Sequence, residues 1–253
     1  SDSPHLFFSG YDTRPGKADE WFQLFQIGFG GIPGRPIGDG PDGHSLWPGF
    51  TNVPNEFIES YFPLRIERYE TIPDSGGAGL HRGGNGLSVA YRFLCDGDIG
   101  IHDERWLTYP WGVLGGETGL RSTKRLVRVD GSEQWLPAKA EGIKVKTGDM
   151  LYFNTWGGGG WGDPFARDPE LVQQDVNRRL VTVDGARRYG VVMASDGSVD
   201  QDATQTLRAE LKAAAGEPAL FNFGGDVEEI RARCEAETHL PAPVKPTFIG
   251  ASQ

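Results

Sequence analysis

Four consecutive glycines sit between two tryptophans in "TWGGGGWGDP", from Thr155 to Pro164. Such a run forms neither a helix nor an ordinary strand, because it brings maximal backbone entropy and no side chain to pack. It suits a phosphate cradle, or a place where backbones need positive φ or very close packing. A phosphate loop needs a Lys for the terminal phosphates and a hydroxyl for the metal. Here the only charged residue is an acid, Asp163. A dinucleotide fingerprint fails too, since Arg82 stands where the third glycine after Gly77 and Gly79 belongs. The residue types therefore predict a strand that ends in backbone needing positive φ or very tight packing, with Trp156 and Trp161 sealing it. Glycine supplies 37 of the 253 residues, well above the usual share of about 7%, so many turns and close backbone approaches are expected.

The remaining composition narrows the function classes. A net charge of -10 and a pI near 5.0 argue against a nucleic-acid groove. Cys95 and Cys234 are far apart and match no metal or redox spacing, so reduced thiols are expected. No apolar run approaches the roughly 18–20 residues of a membrane span. The opening "SDSPHLFFSG" lacks the pattern of a signal peptide. The expectation is a soluble cytoplasmic protein.

Along the chain, residues 1–50 read as an irregular, aromatic-rich opening segment. Its run "WFQLFQIGFGG" offers Trp21, Phe22, Phe25 and Ile27 as the lining of a buried strand. Residues 51–164 read as a β-rich core. Pro63 interrupts any helix begun at Asn55, and "GLSVAYRFL" alternates with period two. "STKRLVRVDGSEQWLPAK" reads as a hairpin turning at Asp130-Gly131, and "GIKVKTGDMLYFNTW" as another turning at Thr147–Asp149. Residues 165–253 read as small helices and a Pro-rich tail over the surface, with Asp168 as N-cap and Pro169 at the first helical position. The fold class is therefore β-rich α+β: a short-strand sandwich or barrel-like β domain followed by small helices.

Candidate chemistry rests on few residues. In "IHDERW" a continuing strand puts His102 and Glu104 on one face and Asp103 and Arg105 on the other. A His beside a carboxylate can do acid/base work. His44 lies in the long loop "DGPDGHSLWPG", a placement that suits a substrate-side role. Asn52, Asn55 and Glu56 can fix a polar ligand, or can be ordinary turn and first-helical-turn residues. Arg65, Arg68, Arg82 and Arg92 have acids such as Glu67 and Glu70 as pairing partners, with a substrate anion as the alternative. No His pair has metal-ligand spacing and no nucleophile elbow is present, so no metal ligand is assigned.

Several blocks in order resemble the hydantoinase B family, which includes the carboxy-terminal part of 5-oxoprolinase and the large subunits of acetone and acetophenone carboxylases. These blocks are "TNVPNE", "FPLRIERYE", "DSGGAGLHRGG", "PWGVLGGETG", "GDMLYFNTWGGGGWGDPFARDPELVQQDV" and "ARRYGVV". They extend from roughly Gly34 to Val192, with Val53 where the family has Thr. The resemblance implies a subunit or fragment of an ATP-dependent enzyme that opens a cyclic amide (a hydantoin, oxoproline or lactam). It implies a hydantoinase A-type ATP-binding partner and an amino-terminal hydantoinase B portion in a hetero-oligomer, with this chain inactive alone. ATP and a divalent metal (Mg, Mn or Zn) are expected on those partner chains, and none on this chain alone. The alternatives are a component of a biotin-independent ketone carboxylase and a non-catalytic assembly module. For either chemistry the expected catalytic residues are His102, Arg105 and His44. Asn52, Asn55, Glu56 and Arg82 are expected on the substrate. Arg82, Arg105 or glycine amides would stabilise an anionic intermediate.

Overall fold

The computed structural model describes residues 4–17, 19–44 and 50–244. In chain order its elements are β1 (His5–Asp12), β2 (Glu20–Ile27), α1 (Asn55–Tyr61), β3 (Leu64–Thr71), β4 (Leu87–Phe93), β5 (Gly97–His102) and β6 (Gly112–Val113). There follow β7 (Thr123–Val127), β8 (Glu133–Leu136), β9 (Lys139–Val145), β10 (Met150–Asn154), α2 (Pro169–Asn177), α3 (Gln201–Ala214), β11 (Phe221–Asn222) and α4 (Val227–Thr238). Two antiparallel sheets dominate, ordered β2-β1-β5-β9 and β3-β4-β10-β7-β8.

Period-two alternation decides what each sheet buries. Leu6, Phe8, Phe22, Leu24, Ile99 and Ile101 point inward from the first sheet. Val89, Tyr91, Phe93, Leu126, Leu151 and Phe153 meet them from the second. Phe8 and Phe93 touch edge to face across the gap, with centroids 4.8 Å apart. This is a β-sandwich with one shared core, and the small helices follow it, as the β-rich α+β expectation requires. A second, smaller cluster of Val172, Val181, Ala186, Tyr189 and Val191 sits under α2 and the 3-10 turn at Gly185–Tyr189.

Several local expectations change. The opening segment is not irregular throughout: β1 and β2 pair residue for residue from His5↔Ile27 to Asp12↔Glu20, and β1 also pairs with β5. Adjacent residues of a strand face opposite ways, so Phe22 is buried while Trp21 and Phe25 are 60% and 51% exposed. The segment "GIKVKTGDMLYFNTW" is not a hairpin, because β9 and β10 lie in different sheets. Its turn, with Gly148 at φ 91°, instead carries the chain across the sandwich. The Asp130-Gly131 hairpin forms as expected between β7 and β8. In the tail, α4 replaces a plain surface segment. Its Asp226–Glu229 capping box satisfies two orphan backbone donors, and Cys234 is fully buried.

The glycine run builds a third region. Gly157 N–H donates to Leu120 and Gly160 N–H to Glu117, three residues earlier. Gly158 and Trp161 donate to Gly84 and His81, again three apart, and Trp156 and Gly159 accept from Gly31 and Gly34. Three residues per turn is the repeat of an extended, polyproline II-type helix, and a crowded axis there admits only glycine. A methyl built on Gly157, Gly158, Gly159 or Gly160 would overlap the carbonyl of Ser75, Ile32, Trp111 or Ala78 respectively. The sequence expectation of close packing holds at these four residues, none of which has positive φ. Their neighbours at 30–34, 75–86 and 111–120 surround the run on all sides.

Gly159→Ala is expected to destabilise the chain by about 3 kcal/mol or more, because both the new methyl and its neighbours are backbone-confined. Gly38→Ala meets open space and should stay within about 0.5 kcal/mol of the parent. Chemical denaturation of both variants checks the contrast.

Candidate functional site

The loop that carries His44 is clamped to the glycine region by charge. Asp42 takes both terminal nitrogens of Arg82 at 2.7 and 2.9 Å and the Asn85 N–H at 2.7 Å. Asp39 takes both terminal nitrogens of Arg167, each at 2.7 Å, and the Arg82 N–H at 2.9 Å. Asp175 of α2 closes the network, 2.8 Å from Arg167 and 3.4 Å from Arg82. Backbone bonds from Gly40 to Arg82, Gly43 to Asn85 and His44 to Gly30 complete the clamp. His44 itself is exposed, so the loop reaches solvent from a rigid base.

Arg82 is 5% exposed and held by hydrogen bonds to Asp42 and the Gly83 carbonyl and by an ion pair with Asp175. It therefore holds the loop's base. Burial alone would raise the Asp39 carboxyl, but the Arg167 hydrogen bonds and charge outweigh it, aided by Arg82. Asp39 thus titrates below the usual carboxylate range. Burial likewise opposes the charge of Arg82, and its hydrogen bonds to Asp42 more than restore it.

His102 ends β5, and the strand stops there rather than continuing through Arg105. Its carboxylate partner is Glu141 of β9, 2.5 Å from Nε2, not Glu104. Asp103 turns inward to meet Lys124, both side chains being fully buried. Burial pushes the Lys124 ammonium well below its ordinary range. Arg105 adopts φ 58°, is half-buried, and lies over the Trp111 ring at 5.8 Å. Asn52 is exposed, and Asn55 and Glu56 open α1. His44, His102 and the α1 start thus ride on separate supports: the clamped loop, a sheet edge and a short helix.

Around His102 the outward face of the first sheet is aromatic. Phe7 stacks on Phe25 at 4.8 Å, and the His5 and His102 rings lie 5.1 Å from Phe25 and Phe7 respectively. Beyond the polar Ser9–Gln23 pair on the same face, Tyr11 and Trp21 are directly paired, each about 60% exposed. Among the described residues no group of three or more His, Cys, Asp or Glu is placed to hold a metal ion. The His102–Glu141 pair alone does not fit a resident metal. Three of the four amides of the glycine run already donate to carbonyls, so the run does not fit a nucleotide phosphate either. No helix of the described residues is long and apolar enough to cross a membrane.

The sandwich, the glycine region and the loop clamp define a class that the comparisons identify. Residues 1–164 match the family model described as Hydantoinase B/oxoprolinase, and the chain belongs to that family. It is 36% identical over 161 residues to the caprolactamase subunit beta of Pseudomonas jessenii, covering 61% of this chain and 27% of that one. It is 30% identical over 220 residues to the acetophenone carboxylase delta subunit of Aromatoleum aromaticum, covering 73% and 32%. Among solved structures, the ATP-dependent caprolactamase from Pseudomonas jessenii superposes with a TM-score of 0.67 at 27% identity, over 81% of this chain and 37% of that chain. The chain spans between 27% and 32% of the length of the first curated relatives it matches.

The Asp39 link has a pH signature. Its lowered folded pKa stabilises the fold fully above the unfolded value of about 3.9, and the contribution is lost as pH falls through the folded value. Asp39→Asn should lower Tm at neutral pH and flatten the decline of Tm between about pH 4 and pH 2. An acid limb as steep as the parent's would refute the link. For the buried pair, Asp103→Leu alone should cost about 3–5 kcal/mol by leaving Lys124 buried without its carboxylate. Combining Asp103→Leu with Lys124→Met should cost much less, as a double-mutant cycle in denaturant would reveal.

Proposed function

We propose that this chain acts as a subunit or fragment of a hydantoinase B-type, ATP-dependent enzyme that opens a cyclic amide. The observation that carries the reading is the combination of family membership with the likeness to an ATP-dependent caprolactamase over 81% of the chain. ATP and the divalent metal reside on partner chains in this reading, the nucleotide on a hydantoinase A-type subunit. The exposed aromatic residues on the outer face of β1 and β2 support assembly, since exposed apolar patches mark interaction sites. Its occupant is the amino-terminal portion of a hydantoinase B polypeptide.

In this reading each residue takes one role. Activation by ATP makes an anionic phosphorylated intermediate, and Arg105 offers a half-buried guanidinium to stabilise it. The His102–Glu141 pair is set up for proton transfer, with Glu141 orienting the ring. His44 meets substrate from the clamped loop, and Asn52, Asn55 and Glu56 bind its polar edge. Arg82 acts as a positioning residue that fixes the His44 loop.

The likeness to an acetophenone carboxylase subunit favours one second reading, a ketone carboxylase component. A third reading, an assembly module, keeps the aromatic face and assigns no chemistry to His44, His102 or Arg105. One reconstitution separates the three. The complex with its ATP-binding partner should consume ATP with a hydantoin or lactam, and Arg105→Ala should lower turnover by about 100-fold. ATP consumption only with a ketone plus bicarbonate would transfer the chain to the carboxylases. Full turnover after replacing His44, His102 and Arg105 together would leave it as a scaffold.

A further inference from the structure

The outward face of the five-stranded sheet holds a polar trench of about 440 Å³, within the range of small-molecule sites. Strand register builds it in two rows. Ser88, Asn154 and Thr123 are neighbours across β4, β10 and β7. One pleat along, Arg68, Ala90, Tyr152, Arg125 and Trp135 run across all five strands. The core-facing residues between these rows, Val89 and Phe153, point the other way. Trp135 is held from outside by the His239 ring at the end of α4, 5.2 Å away.

Both arginines keep unused donors. Arg68 contacts Glu70 through Nε at 3.2 Å, which leaves its two terminal nitrogens without an acceptor among the described residues. Arg125 gives Nη1 to both Glu133 oxygens at 3.1 Å, leaving Nε and Nη2. Its guanidinium lies 5.2 Å from the Tyr152 ring and 5.9 Å from the Trp135 ring. Asn154 spends its amide nitrogen on Thr123 at 3.4 Å, while its buried Oδ1 has no donor among the described residues. A buried acceptor left unpaired is costly. The complement of two guanidiniums and one orphan acceptor is an anion that also carries an N–H.

We infer that this trench binds a small carboxylate bearing an N–H, of the N-acylamino acid type. Arg68 and Arg125 take the carboxylate, Asn154 Oδ1 accepts the N–H, and Tyr152 and Trp135 flank the planar amide. Sulfate, which has no proton to give, satisfies the arginines and leaves Asn154 unpaired. The inference requires neither ATP nor a partner chain, so it stands or falls separately from the proposed reaction.

Isothermal titration of this chain with three probes tests it. N-acetylglycine has both groups, N-acetylsarcosine lacks the N–H, and N-acetylglycinamide lacks the charge. N-acetylglycine should bind about tenfold more tightly than either, the worth of one charge-assisted or buried hydrogen bond. Arg68→Gln with Arg125→Gln should weaken it by at least that factor with the melting temperature preserved. Asn154→Asp, which sets a negative charge against the carboxylate, should weaken it too, and it decides the matter if the double variant unfolds. The inference is overturned by no detectable N-acetylglycine binding, by equal binding of the neutral amide, or by binding that survives the substitutions.

Discussion

Everything on one side of this protein depends on backbones approaching more closely than a methyl group permits. The run Gly157–Gly160 is ringed by the segments at 30–34, 75–86 and 111–120, and their peptide groups bond to each other at every third residue. The hydrophobic effect contributes little there, because glycine has almost no apolar surface to bury. Cohesion comes from paired peptide groups that would be costly to leave unpaired away from water. The sandwich next door works the opposite way, through Phe8, Phe93, Leu126 and Leu151. The strand β10 joins the two regimes, with Leu151 and Phe153 in the core and the chain beyond its end passing through Thr155 and Trp156 into the glycine run.

This division explains what could be read from the chain in advance. Period-two alternation marks β4, the Asp130-Gly131 dipeptide marks the β7–β8 hairpin, and Asp168-Pro169 marks the start of α2, because those signals are local. The misread hairpin at Thr147–Asp149 shows the limit: a tight turn looks the same whether it joins neighbouring strands or crosses between sheets. The three-residue bonding pattern is less visible still, since Gly31, Gly84 and Gly158 are far apart in sequence. An aromatic strand such as β2 invites the assumption of burial on both sides, yet pleating sends Trp21 and Phe25 outward.

The candidate site was legible by family motif more than by chemistry. Arg82 stands out as a cation near glycines, but Asp42 and Asp175 reach it only in the folded chain. The sequence signal for the clamp is the spacing of Asp39 and Asp42 in "GDGPDG", two acids on a glycine-rich loop with buried arginines elsewhere to meet. His102 was found by its type, whereas Glu141 was out of reach because β5 and β9 pair across 39 residues.

A lattice of glycine segments cannot encode its own alignment. Sliding the run by three residues recreates the same amide pattern, and only the side chains at its two ends object, because the shift drives Trp161 onto the Gly158 site or Trp156 onto the Gly159 site. The information that fixes the phase has to be written at the margins, where Arg82 reads Asp42, Arg167 reads Asp39 and Trp156 covers Gly30. The charged clamp is therefore the vernier of the glycine region as well as the anchor of the His44 loop. Chains that drift at those few marginal residues would keep their peptide bonding and lose the phase that sets where the loop emerges.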